Sequence, residues 1–251
     1  MRDNFLKVAL VIMVYVLASS TVTAEALNVA SAANFKRTLQ LLIRDFNPKN
    51  SHSIQIISAS TGTLYAQAIH GAPFDILLAA DAQRPRLLEQ QGYAVKGSRT
   101  TYARGQLALV YQAKLAAEAT AGLEHLLEQP GLSLAIANPD LAPYGVAAAE
   151  VLARPALTNT ARTVLRASNV MQAYQMWFSG GADAALVARS LVESNFLLVP
   201  STWHTDLRQQ AVLMQQAANK PLAREFMGYL QSERAHAIIK QQGYLVGGAQ
   251  E

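Results

Sequence analysis

Short apolar runs alternate with stretches of helical spacing through the first third of the chain. The run Leu27–Ala30 predicts a strand, and the residues after it place one apolar face at helical spacing until Pro48. Further runs at Ile54–Ile57 and Phe74–Ala80 predict two more strands. Each is followed by a helical pattern, and the second of these patterns, Pro85–Gln90, ends before Gly92. This alternation predicts an α/β fold with a parallel sheet covered by helices on both faces.

The same alternation continues after a polar segment, and we expect a second domain to begin near Gly105. The chain is expected to return to the first domain through the polar segment Ser201–Asp206. The predicted strands of the second domain are Gly105–Tyr111, Leu132–Ala137, Ala184–Ala188 and Phe196–Val199, and its predicted helices are Val146–Ala153 and a helix ending at Phe178. After the return to the first domain, the pattern predicts the strand Ala211–Gln215 and the helices Leu222–Leu230 and Arg234–Gln241.

Three of the strand-to-helix turns are rich in hydrogen-bond donors. Ser60 and Thr61 are predicted helix N-caps, and Gly62 allows a close backbone approach. Asn34 takes the cap position in the first turn, and Tyr144 lies close to a helix start in the third. Free N–H groups, the helix dipole and hydroxyl groups together favour an anion site without Lys or Arg. The alternative is that these residues are only helix caps.

The first 24 residues are typical of a secretory signal. Arg2 and Lys7 provide a basic start, Val8–Leu17 is an unbroken apolar segment, and small residues precede a predicted cut before Glu25. The apolar segment is short for a membrane span, and an uncleaved anchor is the alternative. The pattern predicts export to the periplasm.

Composition and spacing argue against several other functions. The formal net charge is +4 with scattered Lys and Arg, so we predict no nucleic-acid partner. The chain has no Cys, and its five His lack metal-ligand spacing. It contains neither a G-x-S-x-G elbow nor a Walker pattern, and paired carboxylates such as Asp75 with Asp81 are the candidates for acid–base chemistry. These observations favour a binding protein that is not an enzyme and carries no cofactor.

The chain resembles the periplasmic molybdate-binding proteins of ABC transporters, the ModA family. The resemblance covers nearly all of the chain after the signal, and its most specific block is the second of the four that carry it. These blocks are VASAANF (Val29–Phe35), SASTGTLYAQAIHGAPFDILLAAD (Ser58–Asp81), ANPDLAPYG (137–145) and the segment ending in Asn169–Val170. The resemblance implies the type II periplasmic binding-protein fold, with lobe I over 25–104 plus 206–251, lobe II over 105–205, and a ligand cleft between two mainly parallel sheets.

The resemblance also implies the ligand and its binding residues. It implies capture of a tetrahedral oxyanion, molybdate or tungstate, for delivery to a membrane permease by a monomeric carrier. Carried over by position, the oxyanion would be held without direct metal ligands by Ala33, Asn34, Ser60, Thr61, Tyr144 and Val170. Many family members have a Tyr where this chain has Ala188, and Tyr144 fits a subset that supplies the phenol from the other loop. Sulfate binding, ion sensing, or hydrolysis of a phosphate or sulfate ester in the same cleft remain as alternatives.

Overall fold

Two five-stranded sheets organise the protein, in a computed structural model that describes residues 26–247. The predicted signal segment therefore lies outside the described residues. Within 26–247, no helix is long and apolar enough to cross a membrane. The strands are β1 (Leu27–Ala32), β2 (Ile54–Ala59), β3 (Ile76–Ala79), β4 (Thr100–Arg104), β5 (Leu107–Tyr111), β6 (Ser133–Ala137), β7 (Thr163–Ala167), β8 (Ala184–Ala188), β9 (Phe196–Leu198) and β10 (Arg208–Leu213).

Helices cover both sheets and connect most of the strands. Short 3-10 turns supplement them, including one over Ala33–Phe35 that directly follows β1. The α-helices are α1 (Lys36–Phe46), α2 (Thr61–Ile69), α3 (Gln83–Gln90), α4 (Ala116–Thr120), α5 (Leu123–Leu127), α6 (Pro143–Leu152), α7 (Val170–Phe178), α8 (Pro221–Tyr229) and α9 (Glu233–Gln241).

The two sheets have the same topology. The strand orders are β2-β1-β3-β10-β4 and β7-β6-β8-β5-β9. In each, three neighbouring strands are parallel and the fourth is antiparallel to both of its neighbours. We call the first sheet with its helices lobe I and the second lobe II. The predicted α/β class, with two mainly parallel sheets flanked by helices, is confirmed.

An aspartate repeats at the same place in both lobes, although the sequence shows no repeat of fixed period. Asp75 precedes β3 and accepts a 2.8 Å hydrogen bond from the Asn28 backbone at the start of β1. Asp183 precedes β8 and accepts a 2.9 Å bond from the Ser133 backbone at the start of β6. Each carboxylate also pairs with a lysine. These aspartates fix the strand starts, at the ends of the sheets opposite the turns described below.

Burial on both faces explains why β3 is uninterruptedly apolar. Ile76 and Leu78 pack into one apolar cluster, whereas Leu77 and Ala79 pack into another on the opposite face. A parallel strand between two helical layers faces no solvent, so its sequence does not alternate. The third apolar cluster fills lobe II.

The structure differs from the sequence-based expectations at several elements. β4 lies in the polar segment before Gly105, where the pattern predicts no strand, and β7 likewise lies outside the predicted strands. Both are edge strands, and in β7 only Ala167 is buried, so the apolar signal is weak. The short helices α4 and α5 were also missed. Helix α6 begins at Pro143 rather than Val146, because proline suits the first helical position.

Two connections link the sheets. One runs from β4 to β5 through Gly105 and Gln106, and the other runs from β9 to β10. They are joined by a 2.9 Å hydrogen bond from the Gly105 N–H to the Leu207 carbonyl. The predicted lobe limits, 104/105 and 205/206, fall within these connections; whether the lobes move as separate bodies stays a prediction.

Candidate functional site

A small cavity lies between the lobes, at the turns that follow the carboxyl ends of β1, β2, β3, β6 and β7. The space that it leaves for the centre of a water-sized group is small, about 10 Å³. Every residue that lines it is uncharged, and all six predicted site residues are among them. The lining residues are Ala32, Ala33, Asn34, Ser60, Thr61, Ala80, Ala142, Pro143, Tyr144, Asn169 and Val170.

Asn34 is not the helix cap that we expected. It lies inside the 3-10 turn Ala33–Phe35, which has no side-chain cap. Its buried amide donates 3.0 Å hydrogen bonds to Gln209 Oε1 and to the Tyr244 hydroxyl, which uses both amide hydrogens. In this arrangement the Asn34 side chain has no N–H left for a guest. The donors that this turn offers are the backbone N–H groups of Ala33 and Asn34 at the helix start.

Ser60 is the N-cap of α2, as predicted. Its Oγ accepts a bond of 3.3 Å from the Thr63 N–H and shares a 2.7 Å bond with Thr63 Oγ1. Thr61 is the first residue of the helix rather than its cap. Its Oγ1 accepts a 3.0 Å bond from the buried Ala80 N–H and makes no other hydrogen bond within residues 26–247. The hydroxyl proton of Thr61 is therefore available to a guest in the cavity.

Tyr144 offers a hydroxyl of the same kind from lobe II. It is the second residue of α6 and is 1% exposed. Its oxygen accepts a 3.1 Å hydrogen bond from Gln209 Nε2, and among the described residues the hydroxyl donates to no acceptor. Burial raises the pKa of Tyr144 well above its usual value of 10, so the phenol keeps its proton. An accepted bond with an unused proton makes this group a donor to an anion.

Helix α7 brings the last predicted residue to the cavity. Asn169 caps the helix, since its side chain accepts a 3.0 Å bond from the Gln172 N–H. Val170 is the first helical residue, and its N–H has no acceptor within the helix. Asn169 also lines the cavity, which the sequence did not indicate. Ala188 ends the buried strand β8 and adds no polar group.

Gln209 on β10 is the residue that sequence reasoning missed. It is fully buried, and its Oε1 accepts hydrogen bonds from Asn34 and from the Tyr102 hydroxyl at 3.1 Å, while its Nε2 donates to Tyr144. It thereby connects both lobes at the cavity. A Gln at the start of an apolar strand is the only signal in the sequence, and Gln210 beside it shares that signal.

The phenol groups of the network stay neutral. Burial raises the pKa of Tyr102 and of Tyr244 above the usual value for tyrosine. The Tyr102 hydroxyl lies 3.2 Å from the Ala79 carbonyl, and the Tyr244 hydroxyl donates to the Asn34 carbonyl at 2.9 Å. The support around the cavity is therefore polar but uncharged.

The lobes are closed around the cavity in this structure. The Gly62 N–H donates a 2.8 Å hydrogen bond to the Leu141 carbonyl of lobe II. On another side, Ser190 Oγ of lobe II donates to the Asn34 carbonyl at 3.3 Å. All six predicted site residues are at most 7% exposed, so the two lobes largely screen them from solvent.

The electrostatics of the cavity favour an anion that only accepts hydrogen bonds. The positive ends of α2, α6 and α7 all meet it, and no carboxylate is among its lining residues. Within the described part of the chain, no group of His, Asp and Glu could hold a metal ion. Asp75 and Asp81 lie beyond opposite ends of β3, which removes the acid–base pair considered from the sequence.

Comparisons with known proteins show which family the chain is similar to. A family model described as "Bacterial extracellular solute-binding protein" matches residues 27–245. The chain is 35% identical to the molybdate-binding protein ModA of Azotobacter vinelandii over 88% of this chain and 90% of that protein. It is 34% identical to the ModA of Rhodobacter capsulatus, over 86% of each. The solved Azotobacter vinelandii periplasmic molybdate-binding protein superposes with a TM-score of 0.80 at 34% identity, covering 88% of this chain and all of that one.

Proposed function

The chain belongs to the bacterial extracellular solute-binding proteins, of the ModA type, and we propose that it captures molybdate for an ABC transporter. The predicted family resemblance and the type II periplasmic binding-protein fold are confirmed by these comparisons. The protein is thus a binding protein and not an enzyme, and its ligand is cargo rather than a cofactor.

The observation that carries the proposal is the convergence of neutral donors from both lobes on one closed cavity. Thr61 and Tyr144 each accept a hydrogen bond from the protein, and within residues 26–247 neither hydroxyl donates to an acceptor. Ala33, Asn34 and Val170 add backbone N–H groups, and Ser60 adds a hydroxyl at the cap of α2. A fully deprotonated tetrahedral ion has only acceptors and matches this set of donors.

The strength of such a site follows from its hydrogen bonds. A bond to a charged acceptor contributes about 1.5–3 kcal/mol. Several of them, less the cost of association, give roughly −10 kcal/mol, which corresponds to sub-micromolar binding. Hydrogen phosphate carries a proton that needs an acceptor, and no carboxylate lines the cavity. Selection against sulfate would rest on ion size and donor geometry.

Delivery of the ion requires the lobes to open. We propose that lobe I comprises 25–104 and 206–251, that lobe II comprises 105–205, and that they rotate about the two connections. A membrane permease would recognise the closed form. The secretory signal of residues 1–24 would place a monomeric carrier in the periplasm.

Isothermal titration of the chain that begins at Glu25 tests the function. Molybdate, tungstate, sulfate and phosphate are titrated in turn into desalted protein. We expect one-to-one, sub-micromolar binding of molybdate and little heat from phosphate. If none of the four ions gives heat of binding, the turns serve only as helix caps. If sulfate binds more tightly than molybdate, sulfate is the cargo instead.

A further inference from the structure

Gly62 is a glycine that lobe I does not require. It is the second residue of α2, and it is absent from the positions of positive φ, so its backbone is one that any residue adopts. Glycine is a poorer helix former than alanine because it loses more conformational freedom on folding. The reason for glycine at this position must lie outside its own helix.

The reason is found across the cleft. A Cβ atom at Gly62 would lie 2.8 Å from the Leu141 carbonyl oxygen and 3.2 Å from the Leu141 Cα, both in the backbone of lobe II. The same Leu141 oxygen accepts the hydrogen bond from the Gly62 N–H. Within residues 26–247, and leaving aside the two connections, this is the one backbone–backbone hydrogen bond between the lobes.

The Leu141 backbone cannot easily yield to an added methyl group. The Leu141 and Ala142 N–H groups both donate to the Asn138 carbonyl, at 3.1 and 2.9 Å, and Pro143 then starts α6. Asn138 is itself tied to lobe II by a 2.7 Å bond from its N–H to the Ala167 carbonyl. The remaining neighbour of the added Cβ is Arg84 Nη2 at 3.3 Å, the end of a flexible side chain.

The contact is also continuous with the cavity. Thr61 directly precedes Gly62, and Ala142 directly follows Leu141; both line the cavity. Separation of the two backbones at this point would therefore move the lobe I donors away from Tyr144. The geometry points to Gly62 as a closure-determining residue. Because it has no side chain, the α2 backbone can come close enough to hydrogen-bond to lobe II when the cavity closes.

The test compares Gly62→Ala with Gly228→Ala. Gly228 is an exposed glycine of α8 where an added Cβ meets nothing within 4 Å, so it is a matched control for the helical effect of the methyl group. For each protein we would measure circular dichroism, the ligand-free melting temperature, the Kd for molybdate, and the radius of gyration by X-ray scattering with and without molybdate. The inference rests on the proposed function in taking molybdate as the ligand that favours closure and in the proposed rotation of the lobes.

We expect Gly62→Ala to fold, to melt without ligand at or above the wild-type temperature, and to bind molybdate at least roughly tenfold more weakly, since Kd rises by the factor by which the closed state is disfavoured. Its radius of gyration should exceed that of wild type, and molybdate should reduce it less. Gly228→Ala should match wild type in affinity and compaction.

Two results would overturn the inference. A folded Gly62→Ala protein with wild-type affinity and compaction would show that the lobes close over the methyl group. Failure of Gly62→Ala to fold would place the requirement for glycine inside lobe I. If the wild-type protein does not bind molybdate, the proposed function fails and the inference is tested by ligand-free scattering alone. In that case Gly62→Ala must still have a larger radius of gyration than wild type.

Discussion

Replacement of Tyr144 by phenylalanine removes one oxygen from the cavity wall and leaves the ring in place. The hydroxyl accepts a bond from Gln209 Nε2 and retains a proton for the ion. Loss of a hydrogen bond to a charged acceptor of about 1.5–3 kcal/mol raises Kd roughly 10- to 150-fold. The substitution also leaves Gln209 Nε2 buried without its acceptor, so we expect a lower melting temperature as well.

Titration with molybdate gives the affinity, and thermal unfolding without ligand separates the loss of stability. Tyr174→Phe is the matched control, because Tyr174 lies on α7 of the same lobe and makes no hydrogen bond within the described residues. It should bind as wild type does. A Tyr144→Phe protein with unchanged Kd would remove the phenol from the ion's shell.

A double-mutant cycle tests whether Gln209 orients that hydroxyl. In Gln209→Met the phenol loses the donor that fixes its oxygen, so Tyr144→Phe should cost less affinity in that background than in wild type. The coupling should be about 0.5–3 kcal/mol, the range for residues in one hydrogen-bond network. Additive losses would mean that Gln209 supports the fold without directing the Tyr144 proton.

Three further predictions concern the opposite lobe, the pH range of binding and an aspartate remote from the cavity. Thr61→Val keeps the shape but removes the proton for the ion and the acceptor for the Ala80 N–H; we expect roughly 10- to 150-fold weaker binding by titration, and wild-type affinity would exclude this hydroxyl. Because burial raises the pKa of Tyr144 above 10, affinity for molybdate should stay constant from about pH 7 to 10, and a decline across that range would contradict a buried neutral phenol. The hydrogen bonds from Lys114 and Ser133 lower the pKa of Asp183 to about 2, below its unfolded value of about 3.9, so they stabilise the fold above pH 4 and are lost as the pH falls toward 2. Asp183→Asn should therefore reduce the free energy of unfolding at pH 7 but not near pH 2, with Kd unchanged; a pH-independent difference in denaturant titrations would refute the ion pair's role.

The turns could be predicted from sequence because each is short and local. A β-branched run, a few small or hydroxyl residues and a helical pattern lie within about fifteen residues of one another, as at Ile54–Ile69. The same locality predicted Ser60 as a cap and brought Tyr144 and Val170 to helix starts.

The supporting network could not be predicted, because its members come from distant parts of the chain. Asn34 meets Gln209 and Tyr244 only after the chain has crossed to lobe II and returned. These contacts use both hydrogens of the Asn34 amide, so the sequence alone suggested a free donor where the structure has an occupied one. The missed edge strands β4 and β7 have a different cause, because their sequences carry little apolar pattern.

A crystal structure of the protein with molybdate, located by the anomalous scattering of molybdenum, tests the central claim most directly. The account predicts one molybdenum peak in the interlobe cavity, with the ion's oxygens within hydrogen-bond distance of Thr61 Oγ1, the Tyr144 hydroxyl and the Val170 N–H, and with no Lys or Arg side chain in contact. A peak elsewhere, or an ion held by a cationic side chain, would contradict it.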